Sequence, residues 1–183
     1  MTLYLFYLSA FAVLLCWGAL LISYFFPEHR IWPPPKKKSW QYWIVWPAST
    51  SVHVLLPFLA YFDRNTLNLF QALPIRITSG IVLIVGIVFG LWAVLKLSVV
   101  QTSGLKGTLR MSGPYRFSRN PQYVGAMAFL IGLSLLSNSF LTAVLSLAMI
   151  PWYLLLPFIE EPWMKKEYRS AYQQYCKTIP RFL

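Results

Sequence analysis

Charge is scarce in this chain, and acid scarcer still. Only 11% of the residues are Asp, Glu, Lys or Arg, against about 25% in ordinary soluble domains. The acidic residues number 5, while 57% of the 183 residues are hydrophobic. Several apolar runs approach about 20 residues, the length that crosses a bilayer. The chain therefore reads as a polytopic membrane protein. Cysteine is almost missing: Cys16 lies inside the first apolar run and Cys176 in the polar tail, so no disulfide is expected. His29 and His53 stand alone, with no Cys/His/Asp cluster at ligand spacing, so no metal is expected. There is no GxGxxG after a strand, no Walker A and no Ser/His/Asp or Cys/His nucleophile set, which excludes a Rossmann nucleotide fold. The net charge of +11 invites a nucleic-acid reading. The cations are instead dispersed at the ends of apolar runs, which fits membrane topology and argues against nucleic acid.

What is present organises into an all-α chain with about five transmembrane helices. Tyr4 to Phe26 is the first span; it lacks the cationic start and short apolar core of a cleaved signal peptide and is read as retained. Pro27 ends it, and a stiff triple proline leads to the basic cluster Lys36 to Lys38, an anchor for anionic lipid. Tyr42 to Phe62 is the second span, opened by an aromatic belt that includes Trp40 and Trp43, with kinks expected at Pro47 and Pro57. His53 sits mid-span and reads first as a hydrogen-bonded core histidine. Ile77 to Val100 is the third span, and Gly86 and Gly90 give it a face for close helix packing. Val124 to Leu136 is shorter and spans only with Pro121 to Tyr123 added. Ser137-Asn138-Ser139 turns tightly into the return run Phe140 to Ile159. From Pro162 a separate amphipathic helix is expected, with Met164, Tyr168, Ala171, Tyr172 and Tyr175 on one face and Lys165, Lys166, Arg169, Gln173 and Lys177 on the other. Glu160 and Glu161 would then complement the N-terminal end of its dipole.

Five crossings place the first loop, the third loop and the tail on one side. That side, with Lys96 snorkelling towards it, holds all of the 16 Lys and Arg except Arg64 and Arg76. The positive-inside rule then predicts an outside N-terminus and cytoplasmic polar motifs. The whole chain, 1–183, reads as a single membrane domain: three spans over 1–100, then a loop, hairpin and tail over 101–183.

The stretch from Gly113 to Gly125, GPYRFSRNPQYVG, is a basic, proline-punctuated turn running into an apolar helix. Pro121 suits the first turn of a helix, and Asn120 before it is expected to cap. Polar side chains and free backbone N–H groups thus gather at a helix N-terminus. Gln101, the segment Gly107 to Arg110, this turn and Glu160-Glu161 all fall on the same face. Carboxylates, an amide, tyrosines and an arginine against an apolar wall suit a small zwitterionic cofactor. The residues alone lead no further.

From about Gln101 to Phe182 the chain resembles the isoprenylcysteine carboxyl methyltransferase and phospholipid methyltransferase superfamily of integral membrane enzymes. The matched pattern is G-P-Y-x(3)-R-N-P-x-Y-x-G, followed by E-E, Met164, Tyr168, then Y-x-x-Y at Tyr172 and Tyr175, and P-R-F at Pro180 to Phe182. The first three spans match in hydropathy alone. The resemblance implies S-adenosylmethionine as methyl donor. It also implies a cofactor site built from Gln101, Gly107, Thr108, Leu109, Arg110, Tyr115, Asn120, Pro121, Gln122, Tyr123 and Glu160, with Glu160, Glu161 and Arg119 as candidate catalytic residues. Glu160 or Glu161 would hold the ribose diol or the ammonium, or relay a proton.

Three departures bear on the substrate. Asn120 and Gly107 stand where many members carry histidine, so a histidine base at Asn120 is ruled out. Leu156 stands where isoprenylcysteine enzymes place an arginine four residues before the acidic pair, and a carboxylate substrate loses its obvious partner. Arg169 replaces the usual glycine and compensates only if turned inward. The expected reaction is methyl transfer to a lipophilic acceptor entering laterally from the membrane. An amine-headed phospholipid or small thiol is favoured, with isoprenylcysteine carboxylate behind. The reading of another class is a non-enzymatic scaffold whose basic loop and tail grip anionic headgroups.

Overall fold

A computed structural model describes all residues, Met1–Leu183. It contains six helices and no strand: α1 (Thr2–Phe25), α2 (Trp40–Phe62), α3 (Leu73–Leu97), α4 (Val99–Thr102), α5 (Pro121–Ser137) and α6 (Phe140–Thr178). α1, α2, α3 and α6 are long and apolar enough to cross a membrane. The bounds of α1, α2 and α3 fall within a few residues of the expected spans, because a bilayer demands length and apolarity that few local signals can override. Ser39 caps α2, its hydroxyl accepting from the Tyr42 N–H.

The main core joins α1, α2, α5 and α6 around residues such as Val52, Leu56, Leu130 and Met149, all fully buried. Two indoles tie α1 to α6: Trp17 donates to the Ala148 carbonyl at 3.0 Å and Trp152 to that of Cys16 at 2.8 Å. α3 stands outside this core and packs antiparallel along α5. Backbone meets backbone there: a Cβ on Gly125 would lie 2.6 Å from Gly90 Cα, and one on Gly132 would lie 2.5 Å from Leu83 N. The small-residue face expected at Gly86 and Gly90 is this contact. α2 and α3 do not pack side by side, which leaves a gap between them.

α5 has 17 residues, about 25 Å of helix. Its ends nonetheless meet the segments that flank α3 on either side. The Ser137 carbonyl accepts from the Asn65 N–H at 2.9 Å, before α3, while Gln122 donates to the Thr102 hydroxyl at 2.8 Å, after it. Asn138 makes the tight turn into α6 in a left-handed conformation, φ 50°. Asp63 secures that corner by accepting from the Ser139 hydroxyl at 2.6 Å and the Leu141 N–H at 3.0 Å.

Two expectations fail here. The tail helix does not begin at Pro162: the first segment of α6 runs on through it, as it does through Pro151 and Pro157, and a second segment follows further on. An interior proline removes one backbone bond and bends the axis, but packing on both flanks keeps the helix going. The break comes at Arg169, φ 49° and ψ −128°. Glu160 and Glu161 are therefore mid-helix, and no helix N-terminus exists for them to complement. Nor does Asn120 cap α5; its side-chain amide donates to the Arg181 carbonyl at 3.0 Å.

Candidate functional site

The polar motifs meet on the face that carries the α1–α2 loop, the α3–α5 connection and the second half of α6. Local chemistry explains how each is held. Gly104 and Gly113 turn the connection with φ of 79° and 63°, values that favour glycine. Gln101 Nε2 donates to the Thr108 carbonyl at 2.8 Å, folding the loop back on α4. Tyr168 Oη donates to the Gly107 carbonyl at 2.9 Å, and Lys106 pairs with Glu167, fastening the same loop to α6. Tyr175 Oη donates to the Tyr115 carbonyl at 2.6 Å and holds the GPY turn.

The tandem acids have different surroundings. Glu161 is buried, and Arg181 grips both of its oxygens, Nε to Oε1 at 2.8 Å and Nη2 to Oε2 at 3.0 Å. Arg119 Nη1 stands 3.1 Å from the same carboxylate and also donates to Cys176 Sγ at 2.6 Å. That pairing with Glu161 raises the Arg181 pKa above the ordinary arginine value. The last residues are stitched to the turn as well, through Arg119 N–H to the Pro180 carbonyl at 2.9 Å and Ser118 Oγ to the Arg181 carbonyl at 3.2 Å. Glu160 has no cation. Its Oε1 accepts from the Trp32 indole and from Tyr123 Oη, and its Oε2 has no hydrogen-bond partner. A half-buried carboxylate held by neutral donors alone is costly to keep charged, and a cationic ligand offsets that cost.

Around Glu160 lies a polar cleft of about 110 Å³. Gln101, Thr108, Leu109, Arg110, Tyr115, Arg119, Asn120, Gln122, Tyr123, Glu160 and Glu161 all line it. Of the residues singled out from sequence, Gly107 and Pro121 do not. Gly107 lies under the Gln101 side chain, which fills the space a Cβ would take, and Pro121 is buried in the first turn of α5. Burial, with Tyr175 and Glu160 nearby, pushes the Tyr115 pKa above the ordinary tyrosine value, so this hydroxyl is a donor and not a base. Arg169 is exposed at the helix break and does not replace the arginine missing at Leu156.

Sequence reasoning missed Trp32. It follows α1, its N–H is held by Ser23 Oγ at 2.8 Å, and it meets a glutamate 128 positions away. No spacing signals this; the only clue was an indole beside a rigid proline run at a membrane boundary. A second, larger cavity of about 460 Å³ was also not foreseen. It shares Trp32, Thr102, Gln122 and Tyr123 with the polar cleft and descends between α2, α3, α5 and α6.

A helical membrane protein with a polar cleft opening onto an apolar chamber is thus the class that fold and site define. Residues 75–171, more than half of the chain, match the model of the family described as Phospholipid methyltransferase (PEMT). The chain belongs to the phospholipid methyltransferase family, and is accordingly an integral membrane methyltransferase. Comparison with curated proteins and with solved structures returns no match.

Proposed function

We propose that the protein transfers a methyl group from S-adenosylmethionine to a lipophilic acceptor that enters from the membrane, an amine-headed phospholipid or a small thiol. The observation that carries this reading is Glu160, a carboxylate without a cation in the polar cleft, held by Trp32 and Tyr123, which also line the apolar chamber. The chemistry of the residues lining the cleft suits the donor. Glu160 suits its ammonium or ribose diol, Arg110 its carboxylate, and Gln101, Tyr115 and Gln122 its polar edges, while Trp32 and Leu97 offer apolar surface. When bound, the donor supplies an electrophilic methyl on a sulfonium that needs no further activation. The protein's share is then alignment and exclusion of water. Tyr123 and Trp32 fix the Glu160 carboxylate, and Tyr168 and Gln101 close the loop over the cleft. Glu161, whose oxygens are taken by Arg181 and Arg119, and Arg119, whose Nη1 reaches Glu161 and Cys176, hold the turn and the tail in register and so act as positioning residues. The positive-inside rule assigns this face to the cytoplasm.

Titration calorimetry of the detergent-purified protein with S-adenosylmethionine tests the donor, and methyl-labelled donor added to membranes tests the transfer. Saturable binding and a labelled lipophilic product are expected. No donor binding by folded protein would favour the scaffold reading and end this one.

A further inference from the structure

The apolar chamber carries chemistry of its own. Nineteen residues line it and none is Asp, Glu, Lys or Arg. At about 460 Å³ it falls within the range of small-molecule sites, roughly 300–1,000 Å³. Its side door is the gap between α2 and α3, where the lining residues Thr50, Ile87 and Leu91 are exposed on the surface that faces lipid. Leu156, which stands in place of a carboxylate-binding arginine, is part of its wall.

Two polar pairs line this space: Gln122, which donates to Thr102 where the chamber meets the polar cleft, and, away from the cleft, His53 with Tyr153. His53 Nδ1 lies 2.8 Å from the Ser49 carbonyl, and Tyr153 Oη lies 2.8 Å from His53 Nε2. A carbonyl only accepts, so Nδ1 carries the proton, and in the neutral ring Nε2 is then the acceptor. Tyr153 therefore spends its only O–H on the histidine. What its oxygen has left for the chamber is lone pairs, strengthened as acceptors by the bond it donates. Tyr153 packs on Tyr123, ring centroids 5.5 Å apart, and Tyr123 holds Glu160. The acceptor oxygen is thus two aromatic rings from the polar cleft.

We infer that this chamber is the methyl acceptor's site, and that it takes an uncharged single-chain lipophile ending in a hydroxyl or thiol, whose X–H group donates to Tyr153 Oη. On transfer the donor's sulfur–methyl bond breaks as the X–methyl bond forms, the X–H proton passes to Tyr153 Oη, and the Tyr153 proton passes to His53 Nε2. The inference rests on the proposed reaction and narrows its substrate. A carboxylate or phosphate brings neither a proton to donate nor a counter-charge. An ammonium brings donors but must be desolvated with no anion in the wall. Of the two acceptors favoured above, the thiol is the one this site fits.

The test uses the full chain in phosphatidylcholine nanodiscs and reads quenching of the tryptophans that line the chamber, Trp32, Trp46 and Trp152. The probes are an ω-bromoalkanol of undecyl length, the matching ω-bromocarboxylate and the bromoalkane. Saturable quenching by the alkanol is expected at concentrations about tenfold or more below those the carboxylate requires. Tyr153→Phe should weaken the alkanol about five- to tenfold and leave the bromoalkane unchanged. Equal quenching by alkanol and carboxylate, or no saturation by the alkanol, overturns the inference, and this wild-type comparison stands without the variant. Methyl-labelled donor is then supplied with decanethiol or with lysophosphatidylethanolamine, and label in the thiol is expected. Label in the phospholipid alone overturns the ligand class and leaves the reaction standing. Saturable alkanol binding with no transfer to any acceptor overturns the reaction and leaves the ligand class standing.

Discussion

Glu160→Gln and Glu161→Gln should give opposite phenotypes, although the two residues are neighbours and chemically alike. Glu161 is 11% exposed at its side chain and takes a two-pronged bond from Arg181 and a second, more deeply buried charge at 3.1 Å from Arg119, itself 10% exposed. Neutralising it leaves two guanidinium groups without their anion. Breaking a buried pair costs about 3–5 kcal/mol. Arg181 is one-third exposed and recovers part of that from water, so about 2–3 kcal/mol is expected. For a chain of this size that corresponds to roughly 5–10 °C in the unfolding midpoint. Glu160 is the reverse case. A glutamine there keeps a carbonyl oxygen for Trp32 and Tyr123, so stability should hold within about 0.5 kcal/mol. What it loses is the charge facing the cleft. A hydrogen bond to a charged group contributes about 1.5–3 kcal/mol, so S-adenosylmethionine should bind roughly 10- to 100-fold more weakly. Thermal unfolding followed by intrinsic fluorescence reads the first effect, and titration calorimetry reads the second. Unchanged donor affinity in Glu160→Gln, or wild-type unfolding in Glu161→Gln, refutes the division of labour between them.

Other positions give sharper tests of the frame. Gly125→Ala should destabilise by about 2–3 kcal/mol, because its Cβ would meet Gly90 backbone at 2.6 Å, and backbone cannot yield. Gly90→Ala should be nearly silent, since its Cβ finds Gly125 at an ordinary 3.7 Å; unfolding midpoints of the two in detergent check the contrast. Arg169→Gly should stabilise by about 1 kcal/mol or more, because φ 49° with ψ −128° suits glycine and strains any other residue, as a rise in the unfolding midpoint would register. Gly107→Ala should leave stability unchanged while displacing Gln101 from the Thr108 carbonyl. If that amide contacts the donor, calorimetry should record roughly tenfold weaker binding, in line with the loss of one hydrogen bond.

Much of the frame was legible because the bilayer is a strict solvent. Apolar runs had to become helices, and a glycine pair at four-residue spacing had to admit a close neighbour. The polar motifs could be assigned to a common face for the same reason. Their partners could not. Trp32 meets Glu160, Tyr153 meets His53 across 100 positions, and Arg181 reaches back to Glu161; each contact is made by folding and leaves no mark in local spacing. The chamber escaped notice because a void is a property of how helices splay, here of α2 parting from α3, and no residue encodes it.

The acidic pair shows what such a reading misses and why it matters. Placed at a helix N-terminus, as Pro162 suggested, two adjacent carboxylates face the same backbone dipoles and act as one unit. Inside a continuous helix, neighbours project about 100° apart, since 3.6 residues complete a turn. Both border the cleft, but only Glu160 is left there without a cation. The helix turns Glu160 towards the space a cation would enter and Glu161 towards the arginines that lock the turn and tail. The continuity of α6 through Pro162 is thus what separates a ligand-facing carboxylate from a structural one. It is also why the substitution that tests one role should leave the other untouched.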